Sequence, residues 1–276
     1  MASARRTIFF VAGSVVALRL LLWLGLQVRP QPFAPYPQQP GPLETRPLPA
    51  GLPAPVERFY RSLYGEEIPV IETVVIQGRG VIKPFLKLPI PARFVFVHRA
   101  GRAYRHYFEA ALFGIPLLKV NEGYIDGESF FESPVAKSFD DPKANQGANL
   151  ALWAEAAWFP SLWLTDGRAR WAPVDEHSAL LYVPFEAGEE NFLVRFNPQT
   201  GLIDSLEAMR YRDLGEGSPK ILWMVRTEAG QPPAEDHPGP TFSATWLDQG
   251  SPWANFNLEE VIFNTDVSVY LRQKGR

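Results

Sequence analysis

Apolar and polar positions along the chain change rhythm three times. A nearly unbroken apolar run from Ile8 to Val28 follows Arg5 and Arg6, and a proline-punctuated stretch then extends from Pro30 to Pro55. Beyond it, short segments of alternating character dominate. Some twenty helical residues reach about 30 Å, the depth of a bilayer's hydrocarbon core. Arg19 interrupts the run and costs about 2.5–3.5 kcal/mol at the bilayer centre, which the surrounding Leu, Val, Ile and Phe residues offset. The pattern predicts a transmembrane helix over residues 1–29, retained as a signal anchor. A cleaved signal peptide is the alternative, but the candidate small-residue sites are poor: Val15-Val16-Ala17 comes early and Leu24-Gly25 is badly framed. Arg5 and Arg6 place the amino terminus in the cytoplasm and the remainder on the extracytoplasmic side of the cell membrane. Residues 30–55 read as a semi-rigid tether of polyproline character. Residues 56–276 read as a single mainly-β globular domain.

That domain opens with a helix: Val56, Phe59, Tyr60 and Leu63 recur at helical spacing after Pro55, and Gly65 ends it. Strands follow at Val70–Ile82, Arg93–Arg99 and Arg102–Ala110, the last two joined as a hairpin around Ala100-Gly101. In that register Val95 and Val97 share a face with Tyr104, His106 and Phe108, while Phe94 and Phe96 share the other with Arg105 and Tyr107. Asp126-Gly127 is the signal of a tight turn. From Asn149 to Leu164 the rhythm turns helical, with Leu150, Trp153, Ala154, Ala157 and Trp158 forming one stripe until Pro160 stops or kinks it. Strands resume at Arg170–Val174, Ser178–Phe185, Asn191–Phe196, Leu202–Tyr211, Ile221–Arg226, Thr241–Leu247 and Glu260–Leu271. The fold class is therefore α+β, mainly antiparallel β: a curved half-barrel sheet covered by a helix.

Composition narrows the chemistry. The chain has 276 residues, a net charge of −3 and no cysteine, so disulfides, thiolate nucleophiles, cysteine-ligated metals and a lipoprotein anchor are all excluded. No nucleophile elbow, zinc-protease helix, calcium loop or phosphate loop occurs. Gly78 and Gly80 flank Arg79 within a strand, where a bulge or a close backbone approach is the simplest reason for glycine. Asp140-Asp141 before Pro142 reads as a helix cap. His98, His106, His177 and His237 are scattered, and the hairpin register above turns His98 and His106 to opposite faces. No metal and no cofactor is expected.

Glu155 is the one acid in the aromatic helix, either a partly buried carboxylate beside a pocket or a solvated flank residue. Between Thr73 and Phe108 there is no acid, but Arg79, Lys83, Lys87, Arg93, Arg99, Arg102 and Arg105 all fall there. Such a stretch faces an acidic ligand, headgroups or a partner, or simply keeps the sheet soluble. Nucleic acid is not expected, given the compartment and the acidic balance. Trp153, Trp158, Trp163, Trp171, Trp223, Trp246 and Trp253 supply a core, with or without an apolar cavity.

Five blocks carry a resemblance: L-P-A-P-V-E-R-F-Y from Leu52, V-I-Q-G-R-G from Val75, E-A-A-W-F-P from Glu155, F-N-P-Q-T-G-L-I from Phe196 and S-A-T-W-L-D-Q-G-S-P-W-A from Ser243. Together they resemble an uncharacterised bacterial family of unknown function, often membrane-anchored, over about Leu52 to Leu271. That resemblance implies no catalytic residue. At the level of fold, the strand order and covering helix are similar to periplasmic lipoprotein-carrier-like half-barrels, which hold acyl chains between sheet and helix.

The reading that follows is a membrane-tethered extracytoplasmic domain that binds a lipid or other hydrophobic ligand without catalysis. Its expected site comprises Trp153, Trp158 and Phe159 from the helix, Trp246 from a late strand, Glu155 beside them and Arg79 as headgroup partner. The alternatives are a structural or partner-binding module of an envelope complex, and a hydrolase or isomerase using Glu155 with a histidine.

Overall fold

A computed structural model of the protein describes residues 2–37, 40–84, 87–228 and 241–275, together with the backbone but not the side chains of residues 2–9. His237 and the side chains of Arg5 and Arg6 thus lie outside the described residues. The apolar run forms α1 (Ala2–Gln27), and a short ribbon pairs β1 (Glu44–Pro47) with β2 (Glu67–Val70) around α2 (Ala54–Tyr64). Gly65 closes α2 at φ 75°, and Val56, Phe59 and Tyr60 are its buried face.

The alternating segments build a sheet of thirteen strands. They are β3 (Thr73–Ile82), β4 (Ile90–Arg99), β5 (Ala103–Leu112), β6 (Ile115–Ile125), β7 (Glu128–Glu132), β8 (Lys137–Phe139), β9 (Arg170–Pro173), β10 (Ser178–Phe185), β11 (Gly188–Phe196), β12 (Ile203–Tyr211), β13 (Lys220–Glu228), β14 (Thr241–Trp246) and β15 (Ala254–Phe263). Two antiparallel meanders, β3 to β8 and β9 to β15, are joined where β15 pairs with β3. The sheet stays open at β8 and β9, a curved half-barrel as expected.

In its concavity runs α3 (Pro142–Ala154), followed by a 3₁₀ turn at Glu155–Trp158 and the short α4 (Leu162–Thr165). Asp141 caps α3, accepting from the backbone N–H groups of Lys143 and Ala144. Every residue from Asn145 to Ala154 is buried, so the sheet surrounds this helix rather than touching one stripe of it. Its polar side chains reach three separated strands. Asn145 Oδ1 accepts from Ser129 on β7, Gln146 Nε2 donates to the Met209 carbonyl on β12, and Asn149 Nδ2 donates to the Pro184 carbonyl on β10.

Several elements differ from the sequence pattern. The helix starts at Pro142, not Asn149, because Ala144, Gly147 and three buried amides carry no apolar stripe. The last strand is Ala254–Phe263, not Glu260–Leu271. Asn264 turns the chain at φ 54°, and Val267 and Leu271 then bury against the convex face instead of continuing the ladder. β6 to β8 lie in a stretch whose acidic residues mask its alternation.

The proline-rich stretch is also more than a spacer. Tyr36 is buried against Val75, Val95 and Val97, Phe33 lies 4.3 Å beneath the Arg93 guanidinium, and Arg93 Nη1 donates to the Gln31 carbonyl. A polyproline backbone has no internal hydrogen bonds, so its carbonyls are free to be taken up by the sheet's arginines.

Gly78 and Gly80 are required by the β3–β15 seam, where an added Cβ would overlap the carbonyl oxygens of Asn257 and Asn255 respectively. Gly78→Ala and Gly80→Ala are each expected to cost about 2 kcal/mol or more, at least about 4 °C in thermal midpoint followed by circular dichroism. Gly167→Ala, where an added Cβ meets nothing within 4 Å, serves as the neutral control.

Candidate functional site

The site begins with a turn. Arg99 pairs with Ala103, so the β4–β5 loop has three residues, Ala100 to Arg102, with Gly101 at φ 64°. A two-residue loop centred on Ala100-Gly101 predicts the opposite parity, and a one-residue change in register moves every side chain to the other face. Phe96 therefore pairs with His106 and His98 with Tyr104, and all four turn into the concavity. The expectation that His98 and His106 point apart is corrected on this ground.

Glu155 completes the cluster. Where α3 tightens into its 3₁₀ turn, Glu155 descends onto β5, placing Oε2 2.8 Å from His106 Nε2 and 3.3 Å from His98 Nε2. His106 Nδ1 lies 3.1 Å from Glu122 Oε1 on β6. His98 is fully buried, and neither ring nitrogen has a hydrogen-bond partner among the described residues. The 3.3 Å contact with Glu155 lacks the alignment of a hydrogen bond. Ligand-type atoms of His98, His106 and Glu155 all lie within 4.8 Å of one another.

The two histidines titrate in opposite directions. Burial alone depresses His106, but the charge of Glu155 and hydrogen bonds to Glu122 and Glu155 outweigh it and push the pKa up to about 9. Burial, reinforced by the positive His106, holds His98 well below the usual imidazole range. Burial raises Glu155, and His106 opposes that rise. Burial thus keeps one imidazole neutral, while Glu155 and Glu122 favour the protonated form of the other.

Next to it is a cavity of about 120 Å³. Phe96, Phe108, Trp158, Phe242, Trp253 and Phe256 form its apolar wall, and His106, Glu122, Glu155 and Arg210 its polar one. Arg210 projects from β12 with its guanidinium 4.4 Å from the Trp223 ring and 5.6 Å from that of Trp246. Among the described residues, Trp158, Trp223 and Trp253, which all line the cavity, each have a buried indole N–H without an acceptor, and Arg210 Nε is likewise unpaired.

Of the residues the sequence singled out, Trp158 and Glu155 line this cavity. Trp153 and Phe159 are buried behind it, Phe159 with its ring 5.5 Å from that of His98. Trp246 stands beside Trp223, one layer back. Arg79 is on the convex face, paired with Glu259 at 2.5 Å, because strand alternation sets it opposite the glycines that face the core. The basic stretch as a whole is less free than its sequence suggests. Arg93 pairs with Glu109, and Arg105 donates to Asn121 and to backbone carbonyls of the carboxy-terminal segment. Sequence reasoning set His98 and His106 apart, which the parity of the β4–β5 loop would have corrected, and it missed Glu122 and Arg210, for which no local signal was available.

The fold and this site define a mainly antiparallel half-barrel with an internal helix and a polar-walled cavity. The chain belongs to the family of unknown function DUF6544, whose profile matches residues 43–257. No curated protein matches it. Among solved structures, it is similar to a domain from Vibrio parahaemolyticus described as an outer membrane lipoprotein-sorting protein. The TM-score is 0.40 and the identity 8%, over 79% of this chain and 93% of that one. It is also similar to a LolA superfamily protein from Nitrosomonas europaea, with a TM-score of 0.41 and 8% identity, over 93% of this chain and 97% of that one. Neither likeness bears on what this chain binds.

The cluster's charge state has a measurable consequence. His106 is raised above its ordinary value, so its contribution to stability is complete below about pH 6.5 and is lost as the pH rises through about 9. Glu155→Leu is expected to cost about 1.5–3 kcal/mol at pH 6 and clearly less at pH 9.5, by denaturant unfolding in chelator-containing buffer. A loss independent of pH would show that His106 carries no charge.

Proposed function

We propose that this protein is a membrane-tethered extracytoplasmic domain that binds a hydrophobic molecule bearing an oxygen-acceptor group, without converting it. One observation carries the reading: an aromatic-walled void lined by residues whose buried N–H donors have no partner among the described residues. A buried donor without an acceptor costs about 1–3 kcal/mol, and a carboxylate or ester oxygen in the cavity recovers it. The apolar wall accommodates the adjoining carbon atoms. A cavity of about 150 Å³ accepts a benzene-sized group, so the present void takes the head of such a molecule and its first carbons. A longer chain requires outward displacement of the Glu155–Trp158 turn.

The membrane assignment is supported at the opposite end of the chain. Within α1, Phe10–Gln27 has a mean hydropathy of 1.7 and is long and apolar enough to cross a bilayer. Its last turn meets the β5–β6 hairpin, where the Phe113 N–H donates to the Gly25 carbonyl at 2.9 Å. Beside that junction Ile115 and Leu117 are 65% and 66% exposed, an apolar tip suited to the bilayer surface into which the helix leads. With the proline-rich stretch laid along the sheet, the domain rests on the membrane instead of standing off it. Of the basic hairpin on which the envelope-partner alternative rests, Arg105 is already paired, whereas Arg99 and Arg102 stay exposed at the β4–β5 loop.

Native mass spectrometry of the full chain released from membranes is expected to show a co-purified amphiphile, and a fluorescent fatty acid should bind and be displaceable. Arg210→Met is expected to weaken that binding about tenfold or more, the loss of one charge-assisted hydrogen bond. Empty spectra together with no fatty-acid binding would dispose of the proposal. The absence of cysteine makes topology directly readable. Glu176→Cys, in an exposed loop, should react with an impermeant maleimide on intact cells, and Ser3→Cys only after permeabilisation.

A further inference from the structure

We propose that His98, His106 and Glu155 form a site for one divalent transition-metal ion of the zinc class, bound by three protein ligands with its open position towards the cavity. The inference does not rest on the hydrophobic-ligand reading, because it concerns the histidine side of the cluster and stands or falls by metal content.

Four observations carry it. First, distances fit. Zinc bonds of about 2.0–2.2 Å in a tetrahedron place neighbouring ligand atoms about 3.3 Å apart. Here Glu155 Oε2 lies 2.8 Å from His106 Nε2 and 3.3 Å from His98 Nε2, and ligand-type atoms of all three residues fall within 4.8 Å of one another, so a metal ion has to draw the two imidazoles together by side-chain rotation. Second, His98 is fully buried with both nitrogens unpartnered among the described residues. Buried polar side-chain atoms are rarely left so, and a metal ion supplies the missing partner.

Third, the outer contact is in place. Glu122 takes His106 Nδ1 at 3.1 Å, which leaves Nε2 to the metal in the carboxylate–histidine–metal order common around such ions. Fourth, two imidazoles and a carboxylate suit zinc, copper, nickel or iron, whereas magnesium and calcium demand oxygen alone. Glu122 and Glu155 provide the negative charge that a divalent ion needs in an apolar wall, against Arg210 as the opposing cation. Because His106 and Glu155 line the cavity, the fourth position faces the void, where water or a ligand oxygen completes the shell.

The test uses the full chain in detergent, stripped with chelator, then loaded with zinc chloride or cobalt chloride and gel-filtered. We expect one retained equivalent of zinc, and with cobalt the intense visible absorption of a four- or five-coordinate ion. His98→Asn and Glu155→Gln should each abolish retention while keeping the far-ultraviolet circular dichroism of the parent. Glu122→Gln should weaken it about 10–100-fold. No retained metal in the parent protein, or only the weak cobalt absorption of an octahedral ion, would overturn the proposal without reference to any variant. Retention unchanged in His98→Asn and Glu155→Gln would place the metal elsewhere and overturn it equally. Fatty-acid displacement measured on the stripped protein reports separately on the hydrophobic-ligand reading.

Discussion

The structure depends on a helix enclosed by its own sheet. An α-helix packed on one sheet face needs only one apolar stripe, but α3 is buried on all sides from Asn145 to Ala154. Its polar positions must then find partners inside the protein. They do so on β7 near one end of the sheet order and on β10 and β12 near the other, and the sheet has to curl for one helix to reach both ends. The half-barrel is the geometric price of satisfying three buried amides. It stays open because β8 and β9 are short edges that do not meet.

The same constraint creates the cavity. A regular α-helix through Trp158 would continue the stripe read from the sequence, but the chain tightens at Glu155 and is cut off by Pro160. The tightening drops Glu155 onto the two histidines and swings Trp158 over Phe96 and Phe242. Between that turn and the strands from β12 to β15, the packing is incomplete. The unfilled space lies where the wall changes from aromatic to charged, so ring edges and a guanidinium share one small void.

The convex face follows a different logic. Val75, Val95 and Val97 would be exposed if the sheet had one covered side, but the stretch around Tyr36 and the turn around Leu271 bury them. Arginines that alternate with these valines pair with Glu109, Asn121, Glu259 and nearby carbonyls. A basic run in the sequence thereby becomes a set of ties holding both ends of the chain to the sheet. The last turn of α1 is fixed against the β5–β6 hairpin, so the amino-terminal helix and the sheet share one platform.

Much of this was legible beforehand. The helix closed by Gly65, the Asp126-Gly127 turn with both residues at positive φ, the Asp141 cap and most strands of the second meander follow from local chemistry. Trp158 lies at the cavity because a stripe reports proximity to a core, and Glu155 because it stands in the same turn. His98 and His106 were set on opposite faces for a single reason. Alternation along a strand reveals that two faces exist, but which face is inward depends on one residue in a loop, here the third member of Ala100-Gly101-Arg102. Local sequence determined the elements and their approximate limits, since propensity, capping and turn chemistry act within a few residues. Only the tertiary structure decided loop parity, the enclosure of α3 and the meeting of His98, His106 and Glu155. Those arise from contacts between residues about fifty apart, whose free energy exists only once the sheet has closed around the helix.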